Sequence, residues 1–150
     1  MQKPLSILVS TLLLTGALLS LARVQPTLAS GQPASGLSAK RVVRAGQFVT
    51  VDSSHPTRGA AQIVEKDGQR LLKLNAAFST GPGPAVQVVL HKRGSVPVSL
   101  READYVYIAD LTSSQGEQTY VLPAGLDLSQ YESVAIWCER FNITFGYAAL

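Results

Sequence analysis

From Arg41 to the C-terminus, apolar residues recur at every second position in short runs, separated by turn-forming clusters. That period belongs to half-buried strands, not to helices, and no stretch sustains a 3.6-residue apolar period. Arg41–Asp52 (RVVRAGQFVTVD) predicts a first strand, with Phe48 in the core and Gly46 marking a turn or bulge. Ser53–Gly59 reads as a loop, in which Pro56 holds His55 extended. Ala61–Lys66 and Gln69–Asn75 flank Asp67-Gly68, a hairpin turn signal because both turn positions need positive φ. Ile63, Leu72 and Leu74 then face inward.

After the Ser79–Pro84 loop (STGPGP), AVQVVLH alternates Val86, Val88 and Leu90 with Gln87, Val89 and His91. Val96-Pro97-Val98 suits an edge segment, since Pro gives no donor to a ladder. Asp104–Leu111, with Tyr105, Tyr107 and Ala109 on one face, and Glu117–Leu122 predict two more strands, and Ala124–Gln130 a loop with one helical turn. The last block, Tyr131–Phe145 (YESVAIWCERFNITF), sets Val134, Ile136 and Cys138 on one face and Ala135 and Trp137 on the other. Its parity then changes to Phe141, Ile143 and Phe145. One straight strand cannot keep both sets on one face, so the block must bulge or bend near Glu139–Arg140. Seven or eight short strands with regular turn signals predict an all-β fold, a small antiparallel β-sandwich.

Ahead of this domain, residues 1–29 read as a signal peptide. Lys3 gives the positive start, Leu5–Ala22 is an uncharged apolar run, and Thr27-Leu28-Ala29 sets cleavage after Ala29. An uncleaved leader would instead anchor the chain, the one route by which the sequence reaches a membrane. Residues 30–40 (SGQPASGLSAK) form a flexible linker, and 41–150 the domain. The expected location is outside the cytoplasm, periplasmic or extracellular.

Charge adds little. Apart from Lys3 and Arg23 in the leader, 11 basic residues face 10 acidic ones, which excludes the clustered basic face that nucleic acid requires. A single Cys forbids an intramolecular disulfide, and no Met follows the leader to serve as a metal ligand.

Several residues together resemble one known family. They are Gly46-x-Phe48, His55, Gly59 before Ala61-x-Ile63-Val64, Leu72-x-Leu74, Phe78, and the Gly-Pro loop with its strand to Leu90. Gln118-x-Tyr120-x-Leu122-Pro123 follows, and then the block from Tyr131 to Leu150. Over about residues 42–150 the chain resembles the DM-thirteen, or electron-transfer DM, domain. The resemblance implies a β-sandwich and a redox role for Cys138. It also implies a redox or envelope protein partner that holds the cofactor. The chain departs from the family where Ala85 follows Gly83-Pro84 and Thr112 follows Asp110-Leu111, so a site using the family's acidic residue after Gly-Pro would be impaired or absent here.

The candidate chemistry is sparse. Cys138 is the redox candidate, cycling through a mixed disulfide or sulfenic acid or ligating a metal; its alternative is a small buried hydrophobe beside Val134 and Ile136. His55 is a possible ligand or proton carrier if it meets Cys138 or His91, and otherwise a loop His bonded to backbone. His91, beside Lys92 and Arg93, is expected in solvent. One Cys and two His leave a zinc site short of a ligand, so the metal and the cofactor stay unknown, with none covalently bound. Asp52, Ser53 and Ser54 lie near His55, but no nucleophile elbow surrounds either Ser, and no catalytic residue is assigned. Trp137 beside Tyr131 offers an aromatic platform or simply core. The sequon Asn142-Ile143-Thr144 falls in an expected buried strand. Two readings remain: a redox accessory module using Cys138, and a non-enzymatic envelope binding domain in which Cys138 is structural.

Overall fold

The structure, a computed structural model, describes residues 40–150. The expected signal peptide (1–29) and all of the linker except Lys40 lie outside the described residues. The described residues form eight strands: β1 (Arg41–Thr50), β2 (Ala60–Lys66), β3 (Gln69–Leu74), β4 (Val86–His91), β5 (Tyr105–Asp110), β6 (Gln118–Val121), β7 (Ser133–Cys138) and β8 (Ile143–Ala149). Single 3-10 turns cover Glu102–Asp104 and Leu128–Gln130. Among the described residues, no helix is long and apolar enough to cross a membrane.

All pairings are antiparallel, in the order β5-β4-β7-β8-β1-β2-β3-β6. β1 joins the two layers. Arg41–Gln47 pair with β2, whereas Phe48–Thr50 pair with β8. The sheet thus folds over on itself, and β5 and β6 approach each other at the remaining seam. The strand runs on through Gly46; its irregularity lies between Val42 and Arg44 instead.

Between the layers lies the main core. It contains Phe48, Ile63, Leu72, Leu74, Phe78, Val88, Leu90, Val134, Ile136, Cys138 and Phe145. The β2–β3 hairpin turns at Asp67 and Gly68, with φ of 51° and 75°, as the Asp-Gly pair demands. β7 is buried at all six positions because its outer face is covered as well. There Val89, Val96, Leu100, Ala135 and Trp137 form a second cluster, flanked by Tyr105 and Tyr147.

Four expectations need correction. The parity change after Cys138 is not a bend in one strand: the chain reverses at residues 139–142 and returns as β8, which leaves Phe141 exposed at the turn. Residues 96–98 form no edge strand. Their loop folds over the outer face of β7, buries Val96, and accepts one hydrogen bond at the Val98 carbonyl from Thr144 N–H (2.7 Å). Ala109 does not continue the face of Tyr105 and Tyr107, because a bulge opposite Val88–Val89 turns Ile108 and Ala109 both toward the main core. His91 is buried, not solvated. It ends β4 between Ser133 and Tyr105, where both faces of the sheet are covered, and its Nδ1 accepts the Arg93 N–H at 3.1 Å.

Candidate functional site

The β7–β8 ladder slips by one residue. Ile136 pairs with Gly146 but Trp137 pairs with Thr144, so Phe145 is the unpaired extra residue on β8. A bulge frees backbone groups and re-aims a side chain. Here the freed Phe145 carbonyl accepts both Val51 N–H (2.9 Å) and Asp52 N–H (3.2 Å), which ties the loop after β1 to the bulge.

That loop then closes on itself. His55 N–H donates to the Asp52 carbonyl at 3.0 Å. The Asp52 carboxylate accepts Ser54 N–H at 3.0 Å and faces His55 Nδ1 at 2.6 Å. The His55 ring lies flat on Phe145, with centroids 4.0 Å apart and planes 3° from parallel. The imidazole beside Asp52, and then the Ser54 amide, hold its carboxyl below the usual value of 3.8. This fixes Nδ1 as the donor and leaves Nε2 without a protein partner among the described residues. The His55 side chain stays 30% exposed, so the pair sits at the rim of the sandwich.

The Gly-Pro loop forms the other wall. A Cβ on Gly81 would stand 2.8 Å from the His55 Cα, and one on Gly83 3.0 Å from the Phe145 ring. The two glycines therefore let this loop lie directly against the stacked rings. Thr57 Oγ1 and Thr80 Oγ1, 2.8 Å apart, link the two loops beneath.

Cys138 is placed elsewhere. Its side chain is 1% exposed, inside the main core, with Val86 and Ile143 as its strand partners. No hydrogen bond joins it to His55; the connection is Phe145, which packs in the same cluster and carries the imidazole on its outer side. His91 sits at the far end of β4 from Val86, about 17 Å along the strand, so it meets neither group. Among the described residues, no three His, Cys, Asp or Glu side chains converge as metal ligands would. Ser53 and Ser54 complete no triad: the His55 imidazole bonds to Asp52, and among the described residues no hydrogen bond joins it to either hydroxyl. Trp137 and Tyr131 lie on opposite faces of the sheet and form no platform.

Asn142 sits in the turn, not in a strand, at φ 52°. Its Oδ1 accepts Leu100 N–H (2.8 Å) and Trp137 Nε1–H (3.0 Å), and its Nδ2 donates to the Leu100 carbonyl (3.1 Å). A glycan on that nitrogen would break the clamp. Asp52 was legible only as a residue near His55; the bulge that brings Phe145 under the ring left no sequence signal.

Comparison with known families gives one decisive result. The profile of the electron transfer DM13 family matches residues 47–150. The chain belongs to this family. Comparison with curated proteins and with solved structures returned no match. The DM13 domain therefore contains the Asp52–His55 rim, the Gly-Pro loop and Cys138 together.

Proposed function

We propose that this DM13 chain is an exported electron-transfer accessory domain, periplasmic or extracellular, that docks on a redox protein holding the cofactor. In this reading the Asp52–His55 pair handles protons at the contact face, and Cys138 is a core residue. The contrast in exposure carries it: the imidazole is 30% exposed and oriented by a carboxylate, whereas Cys138 is 1% exposed among apolar side chains. A thiol exchanges disulfides only where a second sulfur can approach it. A histidine oriented by a carboxylate through one ring nitrogen and open at the other can pass a proton, which balances charge when an electron arrives nearby.

A coloured aromatic disulfide reagent tests the thiol. Cys138 should react only after denaturation; rapid reaction in the native protein would return the redox role to sulfur. Electron flow from an envelope fraction to cytochrome c, with added purified domain, tests the rim. His55→Gln should lower the stimulated rate several-fold. An unchanged rate would favour the alternative, a non-enzymatic envelope binding domain, which the same burial of Cys138 supports. Export itself predicts a mature protein whose mass starts at Ser30.

A further inference from the structure

A cleft of about 580 Å³ runs between the Gly-Pro loop and the link from β5 to β6. Its size falls within the range of small-molecule sites. Val86 and Leu111 line its apolar side and are joined by Leu111 N–H to the Val86 carbonyl at 2.9 Å. Pro82 and Pro84 contribute rigid apolar rings on one wall. Ser113 and Ser114 lie on the other; the Ser113 hydroxyl donates to the Gln115 carbonyl (2.9 Å) and accepts the Gln115 N–H (3.2 Å), which leaves the Ser114 hydroxyl for a ligand.

Both walls are held from behind. The packing of Gly81 and Gly83 against His55 and Phe145 fixes the proline wall. The serine wall is fixed by buried Gln118, whose Oε1 accepts Ser113 N–H (3.0 Å) and whose Nε2 donates to the Ser113 carbonyl (2.8 Å). Tyr120 O–H donates to the same Gln118 Oε1 at 2.6 Å. Thr80 N–H ties the walls together at the Ser114 carbonyl (2.9 Å). Such a cleft is formed before any ligand arrives, which lowers the ordering cost of binding.

The charge pattern selects the ligand. Asp110 is the only ionised residue lining the cleft, and no Lys or Arg lines it. Among the described residues Asp110 accepts only the Tyr107 hydroxyl, at 3.2 Å, and makes no ion pair. A phosphate or carboxylate ligand would find no counter-charge and would meet a like charge. A carboxylate with free acceptor sites suits paired O–H donors. We propose that this cleft binds an uncharged ring carrying adjacent hydroxyls, its face on the proline rings and its hydroxyls on Asp110 and Ser114. A pyranose and a dihydroxybenzene share this chemistry. No electron transfer is involved, so failure here leaves the accessory reading untouched.

Amide spectra of the ¹⁵N-labelled domain, titrated separately with catechol, methyl α-glucopyranoside and citrate, test the proposal. Saturable shifts confined to residues 81–87 and 110–114 with one of the two diols are expected, and which diol acts identifies the source. Asp110→Asn should weaken that binding about tenfold while the rest of the spectrum is preserved. Binding of citrate at the cleft, shifts elsewhere, no saturation by either diol below about 10 mM, or an unchanged affinity in Asp110→Asn would each overturn it.

Discussion

Asp52 and Thr144 mark two opposite uses of a polar group. The Asp52 carboxyl titrates below its unfolded value near 3.8 because His55 and the Ser54 amide stabilise its charge. Its contribution to stability is therefore complete above that value and is lost as pH falls through the lower folded one. Asp52→Asn should reduce stability at pH 7 by about 1–2 kcal/mol in urea unfolding, and the difference should shrink as pH falls below 3.8. Thr144 is the reverse case. It is fully buried, and its Oγ1 finds no partner among the described residues. An unsatisfied buried hydroxyl costs about 1–3 kcal/mol, so the near-isosteric Thr144→Val should raise the midpoint of unfolding. A lower midpoint would mean that the hydroxyl is satisfied.

The element that depends most on one side chain is the loop of residues 92–101. Asn142 grips both polar groups of Leu100 and the indole of Trp137. Beneath the loop, Val96 and Leu100 close the second apolar cluster over Trp137. Asn142→Ala would leave the Leu100 N–H and carbonyl unpaired and place a non-glycine at positive φ without the local bonds that Asn supplies. A loss of about 3 kcal/mol is expected. Because Trp137 is the sole tryptophan, its emission should shift to the red as the loop lifts. A second device is the packing of the Gly-Pro loop. Gly81→Ala would set a methyl group 2.8 Å from the His55 Cα, where the backbone itself must shift, so it should lower stability by about 1–3 kcal/mol in urea unfolding.

At the scale of the whole molecule, β8 ties the two layers together. It pairs with β7 on one side and with β1 on the other, and it carries Phe145 and Ala148 into the main core. Removing residues 141–150 would expose two strand edges in the middle of the fold. The truncated chain should lose its cooperative unfolding transition altogether, read by circular dichroism during heating; a preserved transition would mean that the layers cohere without β8.

The alternating pattern alone was enough to call for an all-β fold. Strand periodicity, the Asp-Gly turn and Pro or Gly punctuation are local, and six of the eight strands follow from them with little ambiguity. The family was legible too, because its marks are core and turn residues in fixed order. Burial of Cys138 followed as the alternative reading, from its place beside Val134 and Ile136 on one strand face. The turn at residues 139–142 was not legible, since a parity change is the same for a bulge and a hairpin. Nor was the fate of the two histidines. Lys92 and Arg93 pull the chain to the surface beside His91, yet the ring lies between two covered faces of a central strand. His55 meets Phe145 only because a one-residue slip in a ladder some ninety residues away turns that ring toward it. Periodicity reports which face a side chain takes along its own strand; which other strand's residue it meets depends on register between distant segments, and that is settled only when the sheet closes.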